Sequence, residues 1–114
     1  MTARPTELMQ GTLDLMVLKA LSFGSQHGYA VARFIERVTD DVLRVEEGSL
    51  YPALHRLEER GLIKSEWGLS ENKRRARYYS LSARGRATLR SEAASWERFA
   101  LALTRVLQAT GVPA

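Results

Sequence analysis

Four cations crowd one short stretch of the chain: Lys73, Arg74, Arg75 and Arg77. Ammonium and guanidinium groups are charged hydrogen-bond donors, and a phosphate oxygen is their natural complement. The same sign dominates a wider window. From Arg60 to Arg90 there are nine bases (those four with Arg60, Lys64, Arg84, Arg86 and Arg90) against two acids, Glu66 and Glu71, a local net of +7. The remainder carries eight bases and eleven acids, a net of −3. One basic region on an otherwise mildly acidic chain points to a polyanion partner, most simply nucleic acid. The plain alternative is a solvated charged surface, and the place of the cations in the fold decides between them.

Enzyme chemistry has little to work with. There are two histidines, His27 and His55, and no cysteine. That excludes disulfides, thiolate metal sites and a cysteine nucleophile. Glu46-Glu47 and Glu58-Glu59 are neighbours in sequence, so on a helix or strand they point apart and make poor acid/base partners. No glycine-rich phosphate loop with a following Lys-Ser or Lys-Thr is present, and no metal triad is visible. No enzyme activity, cofactor or metal is expected. His27 reads as a turn or helix-start residue.

The elements that must position these residues follow from periodicity. At 114 residues, 45% apolar and 26% charged, the chain has ordinary globular composition and room for one domain. No aliphatic run approaches the ~20 residues of a membrane span. No export signal is legible, so the cytoplasm is the expected compartment. Residues 1–10 read as irregular because of Pro5. From Thr12 a helix is expected, with Leu13, Met16, Val17, Ala20 and Leu21 on one face and Leu15 and Leu18 on the other. A helix apolar nearly all round is buried on more than one side, and the second side is assigned to another subunit. Gly24 stops it. A second helix runs from a Ser25 cap to Val38, with Val31, Phe34, Ile35 and Val38 as its stripe. A third runs from Gly48 or Ser49 to Arg60, with Leu50, Ala53, Leu54 and Leu57 as its stripe and Pro52 in the first turn. Gly61 ends it. Residues 62–67 and 76–81 read as two strands of an antiparallel hairpin whose loop carries the basic tip. Ser82 caps a last helix to about Leu107. In it Leu89, Ala93, Trp96, Ala100, Leu103 and Leu107 recur at steps of 4, 3, 4, 3 and 4, a heptad seam suited to pairing two copies.

Three helices, a basic hairpin and a long helix describe a mainly α fold, a winged helix-turn-helix with a C-terminal dimerisation helix. Residues 1–81 form the winged unit and residues 82–114 the dimerisation helix, in one compact body. On a helical wheel the third helix turns Gly48, Pro52, His55, Arg56 and Glu59 away from its apolar stripe, with Ser49 and Tyr51 on the flanks. Such a helix can enter a major groove. Lys73, Arg74, Arg75 and Arg77 then supply phosphate contacts, which give affinity and register, while base contacts give sequence choice. Two readings stay open at Tyr51, packing on the second helix or DNA contact. Trp67 and Trp96 read as packing residues, although a dimer cleft holding Trp96 could take an aromatic effector. Arg84, Arg86 and Arg90 read as solvating the last helix.

The runs Gly11-Thr12-Leu13-Asp14-Leu15, His27-Gly28-Tyr29 and Glu47-Gly48-Ser49-Leu50-Tyr51-Pro52-Ala53-Leu54-His55-Arg56-Leu57-Glu58 resemble the PadR family of bacterial transcriptional regulators. The segments Gly61-Leu62-Ile63, Trp67 and Asn72 to Tyr79 are similar to the wing of that family. The likeness covers about residues 8–107, and the single C-terminal helix matches its short form. It implies a winged-helix dimer that binds operator DNA, usually as a repressor. It also implies recognition by Ser49, Tyr51, Pro52, His55 and Arg56 and wing contacts by Lys73, Arg74 and Arg75. Dimerisation through Leu15, Leu18 and the heptad residues follows the same pattern. The leading expectation is therefore a homodimer on a roughly palindromic operator of double-stranded DNA. The rivals are a winged helix that grips an acidic protein and a sensor of small aromatic molecules.

Overall fold

Leu18, Leu21, Leu50, Leu54, Leu57, Leu62, Ile63, Val17 and Val31 are the largest fully buried side chains, and all of them lie between residues 17 and 63. The structure, a computed structural model, describes residues 6–113. Its elements are α1 (Thr6–Leu21), β1 (Gln26–His27), α2 (Gly28–Val38), α3 (Glu47–Glu59), β2 (Ile63–Leu69), β3 (Arg75–Leu81) and α4 (Ala83–Gln108). This is the expected mainly helical winged fold with a long last helix. The irregular lead expected for residues 1–10 is corrected from Thr6 onward; residues 1–5 lie outside the described ones. Pro5 is no obstacle, because a proline is tolerated at or before a first helical turn.

α1 is the hub. It packs on α2, α3, β3 and α4, which explains why it is apolar nearly all round. Leu18 is 1% exposed and belongs to the core of the single chain. That corrects its expected place at a subunit interface: the fold itself surrounds α1 on the side assigned to a second copy. Leu15 remains half-buried.

The α2 cap is His27 rather than Ser25. Its Nδ1 accepts the Ala30 N–H at 3.2 Å. Gln26 and His27 also form a strand, pairing with Tyr79 and Tyr78 of β3. The sheet therefore has three antiparallel strands in the order β1-β3-β2 rather than the expected two. α3 buries Leu50, Ala53, Leu54 and Leu57, as its stripe requires. It starts at Glu47, so Pro52 sits in its second turn. Pro52 cannot donate to the Gly48 carbonyl one turn back. Gly48 is exposed, so water can take that bond. Gly61, at φ +74°, makes the left-handed turn that ends α3.

β2 and β3 pair from Ile63–Leu81 to Leu69–Arg75. The Ser82 hydroxyl caps α4 by accepting the Gly85 N–H at 3.0 Å and donates to the Gly61 carbonyl at 2.7 Å. α4 is 26 residues long, about 39 Å at 1.5 Å per residue. Its first half rests on the body, with Leu89 packed against the core. Every residue from 101 to 108 is exposed. Leu89 thus spends much of its apolar surface inside its own chain, while Leu103, Val106 and Leu107 project with no cover of their own, at 44, 71 and 74% exposure.

Candidate nucleic-acid interface

Two elements present chemistry to solvent, the outer face of α3 and the wing formed by β2, β3 and the loop between them. On α3, Ser49, Tyr51, Pro52, His55 and Glu59 are exposed. His55 faces Glu59 one turn on at 3.3 Å, both largely in water. Tyr51 does both things left open by the sequence. Its ring covers Gly28, where an added Cβ would stand 3.1 Å from the ring, yet 45% of the residue is exposed. The start of α3 lacks a side-chain cap and carries Glu46 and Glu47. Two carboxylates there oppose a phosphate, so the side of α3 rather than its end is the surface offered.

Arg56 departs from the wheel. Its Nη2 donates to Asp14 Oδ1 at 2.8 Å and its Nε to Oδ2 at 3.4 Å, with Asp14 15% and Arg56 32% exposed. That sets the guanidinium against α1 rather than on the outward face where the wheel put it. Arg77 is also engaged within the chain, while 46% of its side chain stays exposed. Its Nη2 lies 3.6 Å from Glu58 Oε2, its Nε donates to Ser65 Oγ at 3.1 Å, and Ser65 donates to Glu58 at 2.6 Å. That network fastens the wing to α3.

Lys73, Arg74 and Arg75 remain at the tip. Among the described residues none of the three has a carboxylate within ion-pair distance. The turn is held by Ser70, whose N–H donates to the Arg74 carbonyl at 2.9 Å and whose carbonyl accepts the Lys73 N–H at 2.8 Å. Lys73 takes φ +59°, a left-handed conformation that glycine would adopt more easily. The guanidinium of Arg75 stacks on Trp67 at 4.6 Å, and that of Arg77 lies 5.6 Å from the same ring. Trp67 is 56% exposed. It is a platform for arginines rather than a packing residue, a role readable from the alternation that puts residues 75 and 77 on one face of β3.

A belt of rings joins the two elements. Tyr51 lies on Gly28; His27 meets Tyr29 at 6.4 Å and the edge of Tyr78 at 5.6 Å. Tyr78 in turn lies against Gly68 and donates its hydroxyl to the Leu69 carbonyl at 3.0 Å. These rings lie on the face of β3 opposite Arg75 and Arg77, so what ties α3 to the cation-bearing face of the wing is the Glu58–Ser65–Arg77 network. Tyr79, next along β3, faces the core, and burial pushes its hydroxyl pKa above the usual 10.0, partly offset by Arg77.

Two clefts lie elsewhere. One of about 380 Å³ separates α1 from α4 and is lined by Leu15, Trp96 and Phe99 among others. The other, about 710 Å³, is bordered by α1, the 43–45 segment, Trp96 and the side of α3 nearest α1, where Ser49 and Pro52 remain exposed and Arg56 is half-buried. Among the described residues no group of three His, Asp or Glu could hold a metal ion, and no helix is long and apolar enough to cross a membrane.

Residues 17–91 match the model of the transcriptional regulator PadR-like family. Transcriptional regulator Rv3488 of Mycobacterium tuberculosis is 32% identical over 94 residues, covering 82% of this chain and 84% of that one. A transcriptional regulator from Clostridium thermocellum superposes with a TM-score of 0.78 at 30% identity over 88% of this chain and 97% of that chain. A PadR family regulator from Eggerthella lenta does so with a TM-score of 0.73 at 32% identity, over 91% of this chain and 88% of that one. With the winged surface already in place, these likenesses show that the chain belongs to the PadR-like family of transcriptional regulators, DNA-binding proteins and not enzymes.

Proposed function

We propose that the protein is a cytoplasmic repressor that binds a roughly palindromic operator as a homodimer. The observation that carries this reading is the exposed side of α3, with Tyr51 and His55, fastened through Glu58, Ser65 and Arg77 to the wing whose tip carries Lys73, Arg74 and Arg75, cations with no carboxylate in ion-pair distance among the described residues. Ser49, Tyr51, Pro52 and His55 reach base edges in the major groove, and the wing cations hold the adjacent phosphates. Residues 1–81 act as the reading head and residues 82–114 as the pairing helix. Ala93, Trp96, Ala100, Leu103 and Leu107, with Leu15, make the dimer, and the exposed apolar end of α4 supports that role. A monomer would leave this end in water, at about 25 cal/mol for each Å² of apolar area. A dimer seated on its operator excludes other proteins from the same grooves, and repression follows from that exclusion. Selection from a pool of random duplexes, followed by affinity measurement at two salt concentrations, tests the reading. A recovered duplex bound more tightly than its scrambled version is expected; no enrichment over many rounds overturns it.

A second reading is favoured by the Trp96–Phe99 ring pair, 5.4 Å apart beside the 380 Å³ cleft. A flat aromatic effector stacks on the cleft side of this ring pair, since the two rings already touch each other. If it releases DNA, it must bind the DNA-free form more tightly. Quenching of Trp96 fluorescence by planar aromatics, in a Trp67→Phe background, is the expected sign; no quenching at millimolar ligand overturns it.

A further inference from the structure

Asp14 is the one charged residue of the Gly11–Leu15 run, and the DNA surface makes no use of it. We infer that Asp14 and Arg56 form a positioning pair that sets the roll of α3 about its own axis and so the aim of Tyr51 and His55; the inference rests on the reading that α3 enters the groove. Apolar contacts through Leu50, Ala53, Leu54 and Leu57 hold α3 down but are non-directional. Directional bonds come from two places about half a turn apart. Arg56 is tied to α1 through Asp14, and Glu58 is tied to the sheet through Ser65 and Arg77. Residues two apart on a helix point about 200° away from each other. The two ties therefore pull α3 from opposite sides, and neither allows it to roll toward the other.

The geometry gives the pair leverage. A roll of about 20° moves a side chain that sits 5–6 Å from the helix axis by about 2 Å, enough to break a hydrogen bond to a base edge. A partly buried ion pair is a weak source of stability, and orientation is a better-attested reason for keeping one. α1 also borders both clefts and packs on α4, so the pair joins the reading helix to the element on which pairing of two copies depends.

The test compares the wild type, Asp14→Asn, Arg56→Ala and the exchanged pair Asp14→Arg with Arg56→Asp. The probes are the duplex selected by the wild type and a random duplex of equal length, each titrated across a range of salt, with a thermal melt for every protein. Asn keeps the shape of Asp14 but offers one acceptor and no charge. Asp14→Asn is expected to lose about tenfold or more in affinity for the selected duplex while its affinity for the random duplex and its salt dependence stay unchanged. The exchanged pair is expected to recover most of the loss. Equal loss on both duplexes, or wild-type discrimination by Asp14→Asn, overturns the inference. So does a salt slope lowered by about 0.9 in Arg56→Ala, because that is the signature of a lost phosphate contact. If Asp14→Asn melts below the assay temperature, the exchanged pair decides: folded without discrimination overturns the inference, folded with it supports it. A wild type that prefers no duplex is a different result, and it removes the proposed function itself.

Discussion

Replacing Lys73, Arg74 and Arg75 together by Gln removes three charges and keeps three stems of similar length. All three sit on an exposed tip without carboxylate partners among the described residues, so the fold should change by less than about 0.5 kcal/mol per site. Their expected work is electrostatic. Each phosphate neutralised releases about 0.9 of a counterion, so three contacts contribute about 2.7 to the slope of log affinity against log salt. At 0.1 M salt that term is worth about 500-fold, and at 0.3 M about 26-fold. The variant should therefore bind far more weakly than the wild type at low salt, and the gap should close about 20-fold over that range. Fluorescence anisotropy on a labelled random duplex reads both curves. Because the contacts carry no sequence information, the selected duplex should show the same shift. Parallel salt plots for the variant and the wild type would refute the wing assignment, however large the loss of affinity.

Other perturbations follow from particular contacts. Gly85→Ala would drive a Cβ into the carbonyl oxygen of Leu62, so α4 must move off the sheet; a loss of roughly 3 kcal/mol is expected, and an unchanged urea midpoint would contradict the close packing. Gly28→Ala sets a Cβ 3.1 Å from the Tyr51 ring; the fold should change by less than about 1 kcal/mol, while the ratio of operator to random affinity falls, and an unchanged ratio would take Tyr51 out of base readout. Leu103→Lys with Leu107→Lys puts four charges into a dimer seam where each leucine is worth about 2 kcal/mol; light scattering should return the monomer mass, and an intact dimer would place pairing elsewhere.

Much of this was legible because the signals are local. The Gly61 stop, the Ser82 cap and the stripe of Leu50, Ala53, Leu54 and Leu57 are each written within a few residues. The basic tip needs only the hairpin around it. What the sequence hid depends on distant partners. A wheel drawn for α3 alone puts Arg56 outside, since it knows nothing of Asp14, 42 residues earlier. Arg77 reads as one more wing cation until Ser65 is brought beside it by the pairing of β2 with β3 and Glu58 by the packing of α3 on β2. Leu18 reads as a spare face because one helix does not reveal that four other elements surround it. β1, at two residues, is too short to leave any alternation, and His27 shows as a cap only once its ring nitrogen is seen to accept the Ala30 N–H.

The central claim is that two copies of the Tyr51-to-Arg75 surface are presented together to one duplex. Hydroxyl-radical footprinting on the selected duplex measures this directly. Two protected patches related by a two-fold axis and centred about 10 base pairs apart are expected. A single patch, at protein concentrations that saturate the duplex, would contradict it.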